Sequence, residues 1–139
     1  MPAKLQLPQW IPPQLSQLVE TAPSGPQWLH EIKLDGFRMA ARIDRGHANL
    51  LTRTGLDWSE KYQSLLTTLM AVRAKTAYLD GELCGVGADG LPSFAETQAA
   101  TDGERGARLA FTPSTSCIST AATRPAFRSS SAKRCCSRS

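Results

Sequence analysis

Glu31-Ile32-Lys33-Leu34-Asp35-Gly36-Phe37-Arg38 is the stretch on which the architecture of this chain turns. On an extended strand residues i and i+2 share a face, so Glu31 and Lys33 are expected to point one way while Ile32 points into a core. Asp35-Gly36 reads as a turn, and Phe37 opens a second strand that carries Arg38. A second segment, Tyr78-Leu79-Asp80-Gly81-Glu82-Leu83, has the same alternation. Asp80 and Glu82 would share a strand face, and an inward pair of carboxylates among apolar neighbours is costly unless it meets a hydroxyl, a metal or a cation. Either segment alone could be a hairpin with solvated acids. Both together in one short chain make coincidence a poor explanation.

Working outward, residues 28–33, 37–43 and 48–53 read as three strands of an antiparallel meander, divided by Asp35-Gly36 and Arg45-Gly46. From Ser59 the period changes, and Tyr62, Leu65, Leu66 and Leu69 fall at helical spacing with Asp57 or Ser59 available as a cap. Residues 77–84 return to a strand, Ser93 with Glu96 forms a capping box for a helix ending near Gly103, and 108–111 begins another strand. Mixed elements in this order predict an α+β fold with antiparallel sheet. Six of the nine prolines lie in residues 1–26, predicting an extended, turn-rich lead-in with at most a short helix over 14–20.

At 139 residues the chain is one domain or a piece of one. Its net charge of +4 is concentrated at one end: residues 112–139 hold 5 of the 16 Lys and Arg and no acid, leaving 11 basic against 12 acidic side chains in the first 111 residues. A basic balance ordinarily points to nucleic acid or an acidic membrane surface, and here that inference rests on the tail. No apolar run approaches membrane-spanning length and the start has no signal-peptide pattern, so a cytoplasmic location is expected. The four cysteines, Cys84, Cys117, Cys135 and Cys136, have no zinc spacing, and Cys84 is expected to be a buried small residue.

The tail itself breaks in character. Residues 112–139 contain twelve Ser or Thr and no Leu, Val or Gly, after sixteen Leu in the first 111. Such composition predicts disorder. It also fits the loss of one nucleotide near codon 112. With suitable serine codons the neighbouring frame permits Tyr-Ala-Phe-Asp-Leu-Leu-His-Leu-Asp-Gly-Arg-Asp, which restores the missing leucines and acids. The expected division is therefore a Pro-rich lead-in over 1–26, a partial domain over 27–111 and an out-of-frame, disordered tail over 112–139.

A lysine on a strand beside a turn, facing carboxylates, is a layout suited to a covalent lysine-nucleotide. Lysine is nucleophilic only when deprotonated, which at a pKa of about 10.4 is roughly one molecule in a few thousand at pH 7. Nearby cations, a divalent metal and partial desolvation would lower that value. Arg38 supplies a planar donor for phosphate or ribose.

Glu31-Ile32-Lys33-Leu34-Asp35-Gly36-Phe37-Arg38, then Arg53-Thr54-Gly55-Leu56-Asp57, then Tyr78-Leu79-Asp80-Gly81-Glu82-Leu83, resembles the ATP-dependent DNA ligases, most closely the bacterial end-joining type, over roughly residues 8–111. The resemblance implies an incomplete, antiparallel-sheet nucleotidyltransferase (adenylation) domain of the ATP-grasp-like DNA ligase type. It implies that Lys33 is the catalytic residue, attacking the α-phosphate of ATP to form lysyl-AMP with Mg²⁺ offsetting charge, and that AMP then passes to the 5′-phosphate of a nick. By motif position Glu31 would contact adenine, Arg38 and Glu82 the ribose and its surroundings, and Arg53 phosphates; no metal ligand is assigned. Implied partners are nicked double-stranded DNA and end-joining proteins, with the chain a monomer and no membrane involved. The hidden Tyr-Ala-Phe-Asp-Leu-Leu resembles the family's next motif, whose aromatic stacks on adenine.

The sequence departs from that family after Phe111: these residues contain no aromatic adenine platform, no Glu-x-x-x-x-Lys, no final lysine motif and no OB-fold. The chain is therefore expected to be inactive alone. An RNA ligase or capping-type guanylyltransferase shares the lysine motif, and a non-catalytic nucleic-acid-binding fragment using the basic tail is the reading from another class. Gly85-Val86-Gly87-Ala88-Asp89-Gly90 matches a dinucleotide-binding spacing, but Pro92 and the lack of a βαβ unit make it a glycine turn between strand and helix.

Overall fold

The structure, a computed structural model, describes residues 7–15, 17–30, 34–103, 106–119 and 133–135. The chain divides into two compact units, 1–13 with 35–122 and 14–34 with 123–139.

The first unit is built on an antiparallel sheet. Strand β2, Phe37–Asp44, and β3, His47–Thr52, form a hairpin. Arg45 and Gly46 both have positive φ, 50° and 87°, which is why a glycine sits in that two-residue turn. The long β4, Thr76–Val86, is the central strand, paired antiparallel with β2 and with β6, Arg108–Ser119. The two-residue β5, Pro92–Ser93, adds to β4 at Gly85 and Val86. A 3₁₀ turn over Ser59–Tyr62 leads into α1, Gln63–Met70, and α2 spans Phe94–Thr101. No described helix is long and apolar enough to cross a membrane.

The register sorts the two faces of the sheet. Met39, Ala41, Leu50 and Leu83 pack with Tyr62, Leu65 and Leu69 from the helical segment, so this face forms the main core. The opposite face holds Ala40, Leu51 and Tyr78, and residues 7–11 close it, with Leu7 buried and Ile11 packed alongside. Strands β2, β3 and β4 thus show the period of two that their sequence predicts. Ser93 caps α2 by accepting from the Glu96 amide, and Gly103, φ 92°, follows its end.

Several expectations are revised. Residues 28–33 were expected to lead the meander. Instead β1, Trp28–His30, belongs to the second unit, where it pairs in parallel with β7, Lys133–Cys135, and β2 takes β3 and β4 as its partners. Neither Asp57 nor Ser59 caps the helical segment: Asp57 accepts from the Ser59 amide, and the Ser59 hydroxyl accepts from the Leu50 amide in β3. The glycine-rich stretch after β4 turns into β5 before α2 begins, through Gly87 N–H to Leu91 O and Gly90 N–H to Gly87 O. No helix appears among the described residues of 14–20.

Strand β6 does not end where the composition breaks. It runs to Ser119, so 112–119 carries ladder pairing, which asks nothing of apolar side chains. The pairing nevertheless changes quality there. From Val86↔Arg108 to Gly81↔Pro113 it is in step, and both register shifts against β4 come later. Pro113 lacks the amide hydrogen a ladder needs.

Candidate functional site

The face of the sheet closed in part by residues 7–11 also carries the charged motif residues. Arg38 stands opposite Glu82 in the β2–β4 register, and Ala40 opposite Asp80, which puts Arg38, Asp80 and Glu82 on one face. Arg38 reaches diagonally to Asp80 in a two-pronged ion pair, Nε donating to Oδ1 at 2.9 Å and the second prong donating to Oδ2. With the Asp80 side chain only 14% exposed, this pairing answers why an acid sits at that strand position and fixes the plane of the guanidinium.

Glycines bring the motifs together. A Cβ on Gly36 would lie 2.2 Å from the Leu83 carbonyl oxygen and 2.7 Å from the Cys84 sulfur, so the Asp35-Gly36 backbone rests directly on β4 beside Glu82. Gly36 does not have a positive φ; its lack of a side chain serves this approach. Gly81 stands in the same relation to β6, 2.4 Å from the Thr112 carbonyl oxygen, and lies within β4, where no turn occurs. Cys84 is buried as expected. Burial raises its pKa, and the carboxylates of Glu82 and Asp35 raise it further, so the thiol stays protonated at neutral pH. Glu31 and Lys33 lie outside the described residues.

Arg53 follows β3 in a tightly wired turn. Thr52 and Leu56 are joined by the Thr52 N–H to Leu56 O at 2.8 Å, the Gly55 amide donates to Thr52 O at 2.9 Å, and the Leu56 amide donates to the Thr52 hydroxyl at 3.0 Å. Asp57 ties the far side, accepting from the Asn49 amide group at 3.0 Å and the Ser59 N–H at 2.9 Å. Arg53 itself is exposed, and among the described residues its guanidinium has no hydrogen bond or ion pair, unlike those of Arg38 and Arg42. A cation held on a hydrogen-bonded turn with no partner among the described residues is suited to an anion.

Partial burial tends to raise the Asp57 pKa, but the bonds from Ser59 and Asn49 outweigh it and hold the carboxyl below its ordinary value. A depressed folded pKa stabilises the turn above the unfolded value and ceases to do so as pH falls through the folded one. The Ser59 amide, which donates to Asp57, is therefore expected to lose protection from hydrogen exchange below about pH 4, and Asp57→Asn should flatten that acid response. An unchanged acid response in Asp57→Asn would contradict this assignment.

Among the described residues no cluster of three or more His, Cys, Asp or Glu could hold a metal ion. Spacing anticipated the shared face of Asp80 and Glu82. It did not anticipate that Asp80 is engaged by Arg38, nor the roles of Trp10, Arg42 and Tyr78, whose contacts with the turn and with residues 7–11 span long separations that carry no local signal.

The family described as ATP dependent DNA ligase domain matches residues 12–116. The multifunctional non-homologous end joining protein LigD of Pseudomonas aeruginosa is 41% identical over 108 residues, covering 78% of this chain and 13% of that protein. The LigD of Mycobacterium tuberculosis is 33% identical over 72 residues, 52% of this chain and 10% of its own length. The chain thus spans a small part of these relatives. In fold it is similar to a mycobacterial DNA ligase D complexed with ATP and MES, TM-score 0.66 at 24% identity, over 77% of this chain and 35% of that one. The ligase domain of M. tuberculosis LigD superposes with a TM-score of 0.58 at 25% identity, over 77% and 36%.

Proposed function

This chain belongs to the ATP-dependent DNA ligase domain family, and from that premise we propose that it is part of an adenylation domain that takes ATP as AMP donor for sealing nicked double-stranded DNA in end joining. The observation that carries this reading is the seating of Gly36 on β4, which sets the turn following Lys33 beside Glu82 and the Arg38–Asp80 pair. Two separated motifs meet at one place on one sheet face.

In this proposal the Lys33 amine attacks the α-phosphorus of ATP; a phosphorus–nitrogen bond forms, the bond to the bridging oxygen breaks and pyrophosphate leaves. Glu31 contacts adenine, Arg38 and Glu82 the ribose region, and Arg53 the phosphates. The Arg38–Asp80 pair orients the guanidinium before the nucleotide arrives, which lowers the reorganisation needed on binding. Mg²⁺ would offset phosphate charge.

Equilibrium dialysis with labelled ATP and Mg²⁺ tests the pocket. Saturable ATP binding that GTP fails to displace, weakened roughly tenfold by Arg53→Ala through loss of a charge-assisted contact, is the expected result. Equal displacement by GTP would redirect the proposal to a capping-type enzyme, and identical affinity in Arg53→Ala would remove Arg53 from the site.

A further inference from the structure

Residues 7–11 are tied to the sheet through Arg42 and Tyr78, which stand opposite each other in the β2–β4 register. The Arg42 guanidinium on β2 donates to the carbonyl oxygens of Pro8, at 2.9 Å, and Leu7, at 3.3 Å. The Tyr78 hydroxyl on β4 accepts from the Ile11 amide at 3.0 Å and donates to the Ile11 carbonyl at 3.5 Å. Between these anchors Trp10 lies on Gly55, in the turn that follows β3: an ideal Cβ there would meet the indole ring at 3.1 to 3.3 Å. Gly55 has φ 86° and belongs to the same turn as Arg53.

The anchors and the contact do different things. Leu7 and Ile11 join the apolar patch of Ala40, Leu51 and Tyr78, and their burial accounts for the strap lying on the sheet at all. Trp10 is not part of that patch, is 38% exposed, and touches the turn. Even at 38% exposure the large indole keeps most of its surface out of water, and the surface it covers includes the turn. Its contact instead restricts a turn whose other restraints are short local hydrogen bonds, mostly exposed to solvent.

We propose that Trp10 is a positioning residue: its indole, laid on Gly55 by a strap fastened at Arg42 and Tyr78, holds the 52–58 turn and so fixes where Arg53 presents its guanidinium to a phosphate. The phosphate half of this rests on the function proposed above; the restraint on the turn does not. Gly55 is the residue that permits the contact, since a side chain there would meet the ring and its φ disfavours any residue but glycine.

Hydrogen exchange of the full chain, resolved by residue, tests the restraint. In Trp10→Ala the amides of Gly55 and Leu56 should exchange roughly tenfold faster, as expected for the loss of one aromatic contact, while those of Ala40 and Ala41 in β2 keep their rates. Trp10→Phe should restore most of the protection. Uniform acceleration across β2 and β3 would show that Trp10 merely stabilises the fold, and an unchanged turn would show that it restrains nothing; either overturns the proposal. A double-mutant cycle on ATP binding, with Mg²⁺, tests the coupling to Arg53. Trp10→Ala should weaken ATP binding about threefold in the wild-type background and leave Arg53→Ala unaffected. Equal weakening in both backgrounds overturns the link to Arg53. A wild-type chain that binds no ATP overturns the nucleotide site instead, and the exchange rates still decide whether Trp10 holds the turn.

Discussion

Incubated with Mg²⁺ and ATP labelled in its α-phosphate, this chain is expected to acquire little or no covalent label, whereas the chain continued in the neighbouring frame from codon 112 should be labelled at Lys33. The 139 residues supply one part of a nucleotide pocket. After Phe111 the only lysine is Lys133, and no aromatic platform of the Tyr-Ala-Phe-Asp-Leu-Leu kind occurs. Each lost contact to developing phosphate charge costs about 3 kcal/mol by analogy with single oxyanion donors, so the loss of two slows transfer by about four powers of ten. Strand β6 adds a structural reason to look at codon 112: its ladder with β4 is in step as far as Gly81↔Pro113, and both register shifts follow. We therefore propose that the neighbouring frame encodes the continuation of β6. Label on Lys33→Ala in the continued chain would remove the nucleophile assignment, robust nick sealing by the 139-residue chain would refute its inactivity, and an unrelated or terminated neighbouring frame would sink the proposal about codon 112.

What could be read from the chain and what could not divide along a physical line. Period-two alternation put Asp80 with Glu82, and the strand register adds Arg38 to the same face, because a pleated strand leaves a side chain only two directions. The Arg45-Gly46 turn was legible because its two residues need positive φ, a demand few residue types meet. Asp35-Gly36 was read as a hairpin turn on the same evidence of composition, and the inference failed for β1. A glycine can be required by its φ or by a neighbouring backbone, and the sequence is the same in both cases. Gly36 is the second kind. The partner of a strand is likewise a long-range choice: Trp28–His30 has the pattern of a strand, but nothing within it specifies β7 over β2.

The strap shows the same limit at the level of the site. Proline content marked residues 1–26 as a turn-rich lead-in, and residues 7–11 carry neither helix nor strand. Their purpose depends on Tyr78, 67 residues from Ile11, and on an arginine whose hydrogen bonds go to main-chain oxygens. Tyr78 opens the second motif, so the same strand supplies an anchor for the strap and, four residues on, the acid proposed to meet the nucleotide. Stability and function thereby share β4, and a change that displaces it should disturb both.

Gly36→Ala is the substitution expected to show this most sharply. The new methyl would sit 2.2 Å from the Leu83 carbonyl oxygen, a distance no van der Waals contact tolerates, and the obstructing atom is main chain in the central strand. Either the 35–36 backbone must lift from β4 or β4 must yield against both β2 and β6. Overpacking of this kind costs about 3 kcal/mol where backbone has to move, which for a unit of this size lowers the melting temperature by about 12–20 °C. Gly46→Ala provides the comparison: it meets nothing within 4 Å and its penalty comes only from φ 87°, about 1 kcal/mol. Combining Gly36→Ala with Cys84→Ala should not rescue stability, because relieving the 2.7 Å contact with sulfur leaves the carbonyl in place. Thermal and urea unfolding of the three variants measure these differences. A Gly36→Ala chain that melts with the wild type would mean that the turn after Lys33 does not rest on β4, and the convergence of the two motifs on which the nucleotide site depends would fall with it.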